Sequence, residues 1–145
     1  MSNYSLRNRL ARLEAAAQQL VASRQSNELA RFASYYGREF DFCADHFLGQ
    51  DGKPKRYWAA QRAIFDALTK HRRVSVRSCR KGSKTETFGD LIIAFTQTGP
   101  GIVVSTAAGG RQVETGLWSR VNSQFIRSRV PLLGECLNTK LNVGP

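Results

Sequence analysis

Apolar residues recur at helical spacing from the first residues of the chain. Leu6, Leu10, Leu13, Ala17 and Leu20 alternate steps of four and three, which puts one apolar stripe on a helix over residues 4–22. Basic and amide side chains fill its other faces. A stripe of about two heptads is too short to hold a coiled coil by itself, so this helix is expected to pack on the body of the protein or on a neighbouring one. A second helix is predicted from Asn27 to about Tyr36, with Leu29, Phe32 and Tyr36 on its buried side.

Residues 47–55 hold Gly49, Gly52 and Pro54 among polar residues and read as a loop. Helical spacing returns over residues 56–71, where Trp58, Ala60, Ile64, Ala67 and Leu68 are the apolar positions. Val74 and Val76 then alternate with polar residues, predicting a short strand over 73–78. Another helix follows, carrying Phe88, Leu91, Ile92 and Phe95. Residues 99–101 are a turn, and 102–106 read as a strand too apolar to be half exposed. After Gly109 and Gly110 a helix runs from about Arg111 to Arg127, with Val113, Leu117, Val121 and Phe125 spaced by four. Leu137, Leu141 and Val143 alternate loosely, as in one further strand.

Helix–strand–helix–strand–helix is the order of an α/β protein with a parallel sheet. The expected organisation is an N-terminal helical segment (1–46) appended to an α/β body (47–145). The strands at 73–78 and 102–106 are expected to be adjacent or one strand apart.

Charge sharpens this picture. The 145 residues contain 22 Lys and Arg against 11 acids, a net charge of +11. Such a field favours polyanions. Seven of the cations fall between Lys70 and Lys84, so the charge is concentrated at one place. No run approaches the roughly 20 apolar residues that a membrane span needs, and the polar N-terminus lacks the apolar stretch of a secretory signal. A cytoplasmic protein that does not engage membranes is expected. Cys43, Cys79 and Cys136 are odd in number and widely separated, which fits reduced thiols better than a disulfide framework. Cys43 and His46 have the spacing of one edge of a zinc site, but two further ligands are missing nearby.

The stretch from Val74 to Glu86 carries the chemistry. A strand enters a tight polar loop, and Lys84-Thr85 opens the next helix. That is the layout of a phosphate-binding loop (P-loop), in which N–H groups at a helix start face the phosphates. Lys84 would reach the β- and γ-phosphates of ATP, and the Thr85 hydroxyl would hold Mg²⁺. Ser78, Cys79, Arg80, Lys81, Gly82 and Ser83 make up the loop. It departs from G-x-x-x-x-G-K-[ST]: Ser78 and Ser83 stand where the motif has glycine, and Gly82 comes one residue early. Upstream, Tyr57 and Gln61 are four residues apart and share a helix face, an aromatic and an amide able to stack on and bond an adenine.

In the order of these features the chain resembles the ATPase region of the large terminase subunits of tailed phages, over roughly residues 35–145. The resemblance lies in Tyr57 and Gln61, in the deviant loop with Arg80 four residues before Lys84, and in the segment after the second strand, with Arg111, Gln112 and Val113. It implies part of a RecA-like P-loop NTPase, a motor that couples ATP hydrolysis to packaging double-stranded DNA into procapsids. It also implies a portal protein, a small terminase subunit and a homo-oligomeric ring as partners. Arg80 would be an arginine finger acting in cis on the γ-phosphate.

The resemblance stops before the catalytic acid. An ATPase of this class needs an apolar strand ending in Asp, followed by a Glu that orients water. Residues 102–106 end in hydroxyls, and the acids beyond Asp90 are Glu114 and Glu135 alone. Glu86 is expected to point away from the attacking water. The acid-rich nuclease half of the family is also missing. A truncated, split or remnant chain that binds nucleotide and hydrolyses it poorly is one expectation. The other is a basic nucleic-acid-binding module on a degenerate motor scaffold without nucleotide chemistry.

Overall fold

The computed structural model describes residues 3–79 and 83–143. Helices dominate them: α1 (Asn3–Ala33), α2 (Glu39–His46), α3 (Ala59–Lys70), α4 (Lys84–Thr98) and α5 (Ser119–Ile126), the last continuous with a π-helical stretch, Gln112–Trp118. Two two-residue strands, β1 (Glu135–Cys136) and β2 (Leu141–Asn142), close an antiparallel hairpin, with Glu135 opposite Asn142.

The expected parallel α/β sheet of a RecA-like domain is therefore corrected. Among the described residues the β1–β2 hairpin is the only sheet. The segments 73–78 and 102–106 belong to no ladder. Alternation in a sequence fixes which side chains face inward, and Val74 and Val76 are indeed half-buried. It does not supply a partner, and a parallel pair needs one brought in from far along the chain. Residues 102–106 were expected to be covered on both faces, yet Ile102 is 93% exposed and Val104 78%. Their apolar character does not by itself bury them.

The two expected N-terminal helices are one. No Gly or Pro interrupts residues 3–33, so α1 runs on until a turn at Gly37, whose φ of +76° favours glycine. Of the three residues expected to be buried near its end, Phe32 is fully buried, while Leu29 and Tyr36 are exposed. Helix α3 packs Ile64 and Leu68 of the expected face against the core, but not the whole of it. Trp58 is exposed and Ala60 lies outward, whereas Gln61 and Phe65 are buried.

Helix α4 is the axis of the core. Leu91, Ile92, Ile93 and Ala94 are all buried, which a helix shows when it is packed on several sides. Gly89 lets α5 come close: a Cβ there would meet Arg120 Cβ at 3.4 Å and Val121 N at 3.6 Å. Around α4 sits an aromatic cluster in which the Phe42 ring stacks on His46 and meets Phe32, Tyr35 and Phe47 edge-on. Residues from both sides of position 46 belong to this one core: Phe32, Phe42 and Cys43 with Phe65, Ile93, Trp118 and Val121.

Candidate phosphate-binding site

The N-terminus of α4 begins at Lys84, after Ser83 in the left-handed conformation (φ 55°, ψ 14°), and among the described residues no side chain caps it. Ser83 is the residue that stands where the phosphate-loop motif has glycine. The backbone there adopts the conformation glycine takes freely and an L-residue takes at a cost of roughly 1–2 kcal/mol. Replacing Ser83 by Gly relieves that strain but adds freedom to the unfolded chain. A net stabilisation of about 0.5–1 kcal/mol is expected, read as a rise in the urea midpoint at unchanged slope. An unchanged or lower midpoint would show that the serine conformation is unstrained.

Lys84 reaches back across the loop. Its Nζ donates to Ser78 O at 2.8 Å, Ser78 Oγ at 2.9 Å and Cys79 O at 3.0 Å. All three acceptors are neutral, and among the described residues no carboxylate pairs with this ammonium. Thr85 is exposed one residue further on, with its hydroxyl open to solvent. The structure thus gathers Ser78, Cys79, Ser83, Lys84 and Thr85 at one helix start. Arg80, Lys81 and Gly82 lie outside the described residues.

Tyr57 and Gln61 do not face this opening. Gln61 is buried; its Oε1 accepts from Trp58 N–H at 3.0 Å and its Nε2 donates to Thr87 Oγ1 at 2.9 Å. Thr87 Oγ1 in turn donates to Ser83 O at 2.9 Å. Gln61 therefore ties α3 to the first turn of α4 and positions the loop from beneath. Tyr57 donates its hydroxyl to Asp90 Oδ2 at 2.9 Å, and its ring packs on Phe40 and Phe65. The burial of both fits anchoring better than contact with a base.

Beneath the same helix lies a charged cluster that sequence reasoning missed. The loop over residues 47–55 folds back so that Lys55 N–H donates to Phe47 O at 3.0 Å, and this aims the lysine inward. Its ammonium, on a side chain only 6% exposed, contacts Asp90 Oδ2 at 2.6 Å and Glu86 Oε1 at 2.8 Å. Glu86 turns toward Lys55. The available signal was Asp90 itself, a carboxylate inside the apolar run FGDLIIAF, four residues after Glu86.

Burial pushes the Asp90 carboxyl up to about 6 from 3.8; desolvation outweighs the nearby Lys55 ammonium and the hydrogen bonds from Lys55 and Tyr57, and Glu86 adds to the rise. The folded state then holds a proton more tightly than the unfolded chain does. That contribution to stability is present below about pH 4 and is lost as pH rises through about 6, roughly 3 kcal/mol in all. Denaturation of Asp90→Asn beside the parent across pH 4–7 should show the parent losing that much relative to the variant. Parallel pH curves for the two proteins would contradict this.

Cys43 and His46 are packed in the core. Cys43 is buried, with its Sγ 3.7 Å from Asp90 O, and burial pushes its thiol well above the ordinary value. His46 is buried, with Nδ1 2.9 Å from Phe42 O. Among the described residues no group of three His, Cys, Asp or Glu could hold a metal ion. No helix of the described residues is long and apolar enough to cross a membrane. No protein-family model matches the chain, and no significant match is found among curated proteins or solved structures.

Proposed function

We propose that the N-terminus of α4 binds the phosphates of ATP together with Mg²⁺, in a chain that resembles the nucleotide-binding part of a phage large terminase subunit. The carrying observation is Lys84: an ammonium folded over the loop onto three neutral oxygens, at an uncapped helix start preceded by a left-handed residue. Neutral oxygens leave its charge uncompensated, and the helix dipole adds to the attraction for an anion. A phosphate entering the loop would exchange those oxygens for a charge-assisted contact. The Thr85 hydroxyl, exposed one residue further on, would hold the metal. The reading rests on this local geometry and on the resemblance, not on a sheet. Double-stranded DNA, a portal protein, a small terminase subunit and a ring of copies are the partners the resemblance adds, and ATP turnover by this chain alone is expected to be near background.

A second reading has its own observation. Arg72, Arg73 and Arg77 are all exposed just before the loop, as in a patch that binds the nucleic-acid backbone. Thermal denaturation with Mg-ATP, and salt-dependent DNA binding, separate the two. Under the first reading, ATP at about 100 times its Kd stabilises the chain by roughly 2.7 kcal/mol, and Lys84→Ala abolishes the shift. Because Gln61 acts through α4, Gln61→Ala should weaken ATP and GTP alike. Under the second reading nucleotide gives no shift, and Lys84→Ala costs DNA affinity no more than Arg72→Ala or Arg73→Ala. That pattern would remove the nucleotide assignment.

A further inference from the structure

Two carboxylates share one ammonium beneath the helix start that carries Lys84. The Lys55 ammonium contacts Asp90 Oδ2 at 2.6 Å and Glu86 Oε1 at 2.8 Å, and donates to Gln124 Oε1 on α5 at 3.4 Å. With both acids ionised the cluster carries one net negative charge. Asp90 is only 1% exposed, so water screens that charge poorly. The nucleotide reading gives the cluster no part. Yet Asp90 follows Lys84 by six residues on α4, about 9 Å along the axis, and helical side chains lean toward the N-terminus. A buried anion there opposes a phosphate at the same helix start.

We propose that this cluster couples phosphate binding to a proton: Asp90, on taking one up, leaves the Lys55 ammonium to balance Glu86, and the start of α4 binds phosphate more tightly. The inference rests on the phosphate site proposed above. Among the described residues, the titratable groups facing Asp90 are Lys55 and Tyr57 from the segment before α3, Glu86 on α4 and the Cys43 thiol on α2. From α5 this part of α4 meets the neutral Gln124, and Arg120, whose Cβ lies against Gly89 and which is exposed. Burial pushes both the Tyr57 hydroxyl and the Cys43 thiol upward, so they stay neutral where Asp90 titrates. Asp90, at about 6, changes charge close to neutrality. Its neutral form keeps a partner, because the Tyr57 hydroxyl can still donate to it. Removing one buried charge at this distance changes the affinity for an anion by roughly 3- to 15-fold, at an effective dielectric of about 20–40. Linkage is reciprocal, so a bound phosphate tightens the hold of Asp90 on its proton by the same factor.

Calorimetric titration of the whole chain with Mg-ATP from about pH 5 to about pH 7.5, beside Asp90→Asn, tests this. Asparagine stands in for the protonated acid, and the ratio of the two dissociation constants cancels the titration of the ligand itself. Parent over variant, that ratio should rise by roughly 3- to 15-fold across the range, with its midpoint near or above 6. In buffers of different ionisation heat, the parent should take up a fraction of a proton more than the variant on binding near that midpoint. Lys55→Met should move the rise to higher pH, since a carboxyl without its cation holds a proton longer. A purely structural role for Lys55 would leave the midpoint in place. A ratio that stays level or falls as pH rises would overturn the coupling and leave the phosphate site standing, as would a midpoint indifferent to Lys55→Met. Lys84→Ala should abolish binding at every pH, which assigns the heat to the site. If the parent binds no Mg-ATP at any pH, the phosphate site itself is removed, and the coupling with it.

Discussion

Lys55→Met is expected to lower the stability of the chain at pH 7 by about 1–3 kcal/mol, the usual cost of leaving a buried polar group without its partner when it can neutralise by taking up a proton. Methionine replaces the stem of the lysine but leaves Asp90, 1% exposed, without its cation. The Tyr57 hydroxyl then remains as the neutral partner of a carboxyl that, already raised to about 6 with Lys55 beside it, takes up a proton at pH 7. Glu86 adds little to the loss, because at 41% exposure it can turn to water. A loss of this size is a sizeable fraction of the margin of a domain of ordinary stability. Urea denaturation at pH 7 measures it. The combination Lys55→Met, Asp90→Leu and Tyr57→Phe removes charge and hydroxyl together, and replacing a buried pair by apolar groups is often neutral or stabilising. Recovery in that variant would show that the loss comes from the abandoned carboxylate. If Lys55→Met alone costs less than about 1 kcal/mol, the pair is not buried in solution as it is here.

This cluster shows how far the sequence could be read. The helix over α4 was legible because Phe88, Leu91, Ile92 and Phe95 recur at its period and a polar loop precedes it. The loop over residues 47–55 was legible from its glycines and proline. What the loop delivers was not: nothing local to Lys55 announces that its ammonium ends inside the core beside Asp90, 35 positions on. Gln61 illustrates the same boundary. Its place on the helix ahead of the phosphate loop marked it out, but its partner, Thr87, is set by how α3 crosses α4. The contacts of Lys84 are of the local kind that a sequence can hold, since its acceptors lie within six residues. The strands failed for the complementary reason, since pairing is non-local and alternation names no partner. Helix α2 was not anticipated, because EFDFCADH mixes acids with aromatics in a single short segment whose buried face, Glu39, Phe42, Cys43 and His46, is part polar.

Phe42→Ala should cost about 3–5 kcal/mol, as large-to-small changes at fully buried aromatic positions do. The ring is stacked on His46 at 4.7 Å and meets Phe32 at 5.3 Å, Tyr35 at 5.7 Å and Phe47 at 5.8 Å between centroids. Its neighbours come from α1 (Phe32), the turn after it (Tyr35), α2 (His46) and the residue after α2 (Phe47), so collapse of one element cannot fill the space it leaves. The next residue, Cys43, touches the backbone of Asp90 on α4, which extends the loss to the helix that carries Lys84. Tyr36→Ala is the control: that ring is 69% exposed, and its removal should cost within about 0.5 kcal/mol. Hydrogen exchange at Ile93, buried in the middle of α4, reads how far the damage travels. If residues 32–47 and α4 form one cooperative unit, Phe42→Ala lowers protection at Ile93 by the same free energy as it lowers global stability. If Ile93 keeps its protection while the aromatic cluster opens, the first 46 residues fold as a separate body, and the Lys84 loop would be expected to bind phosphate without them.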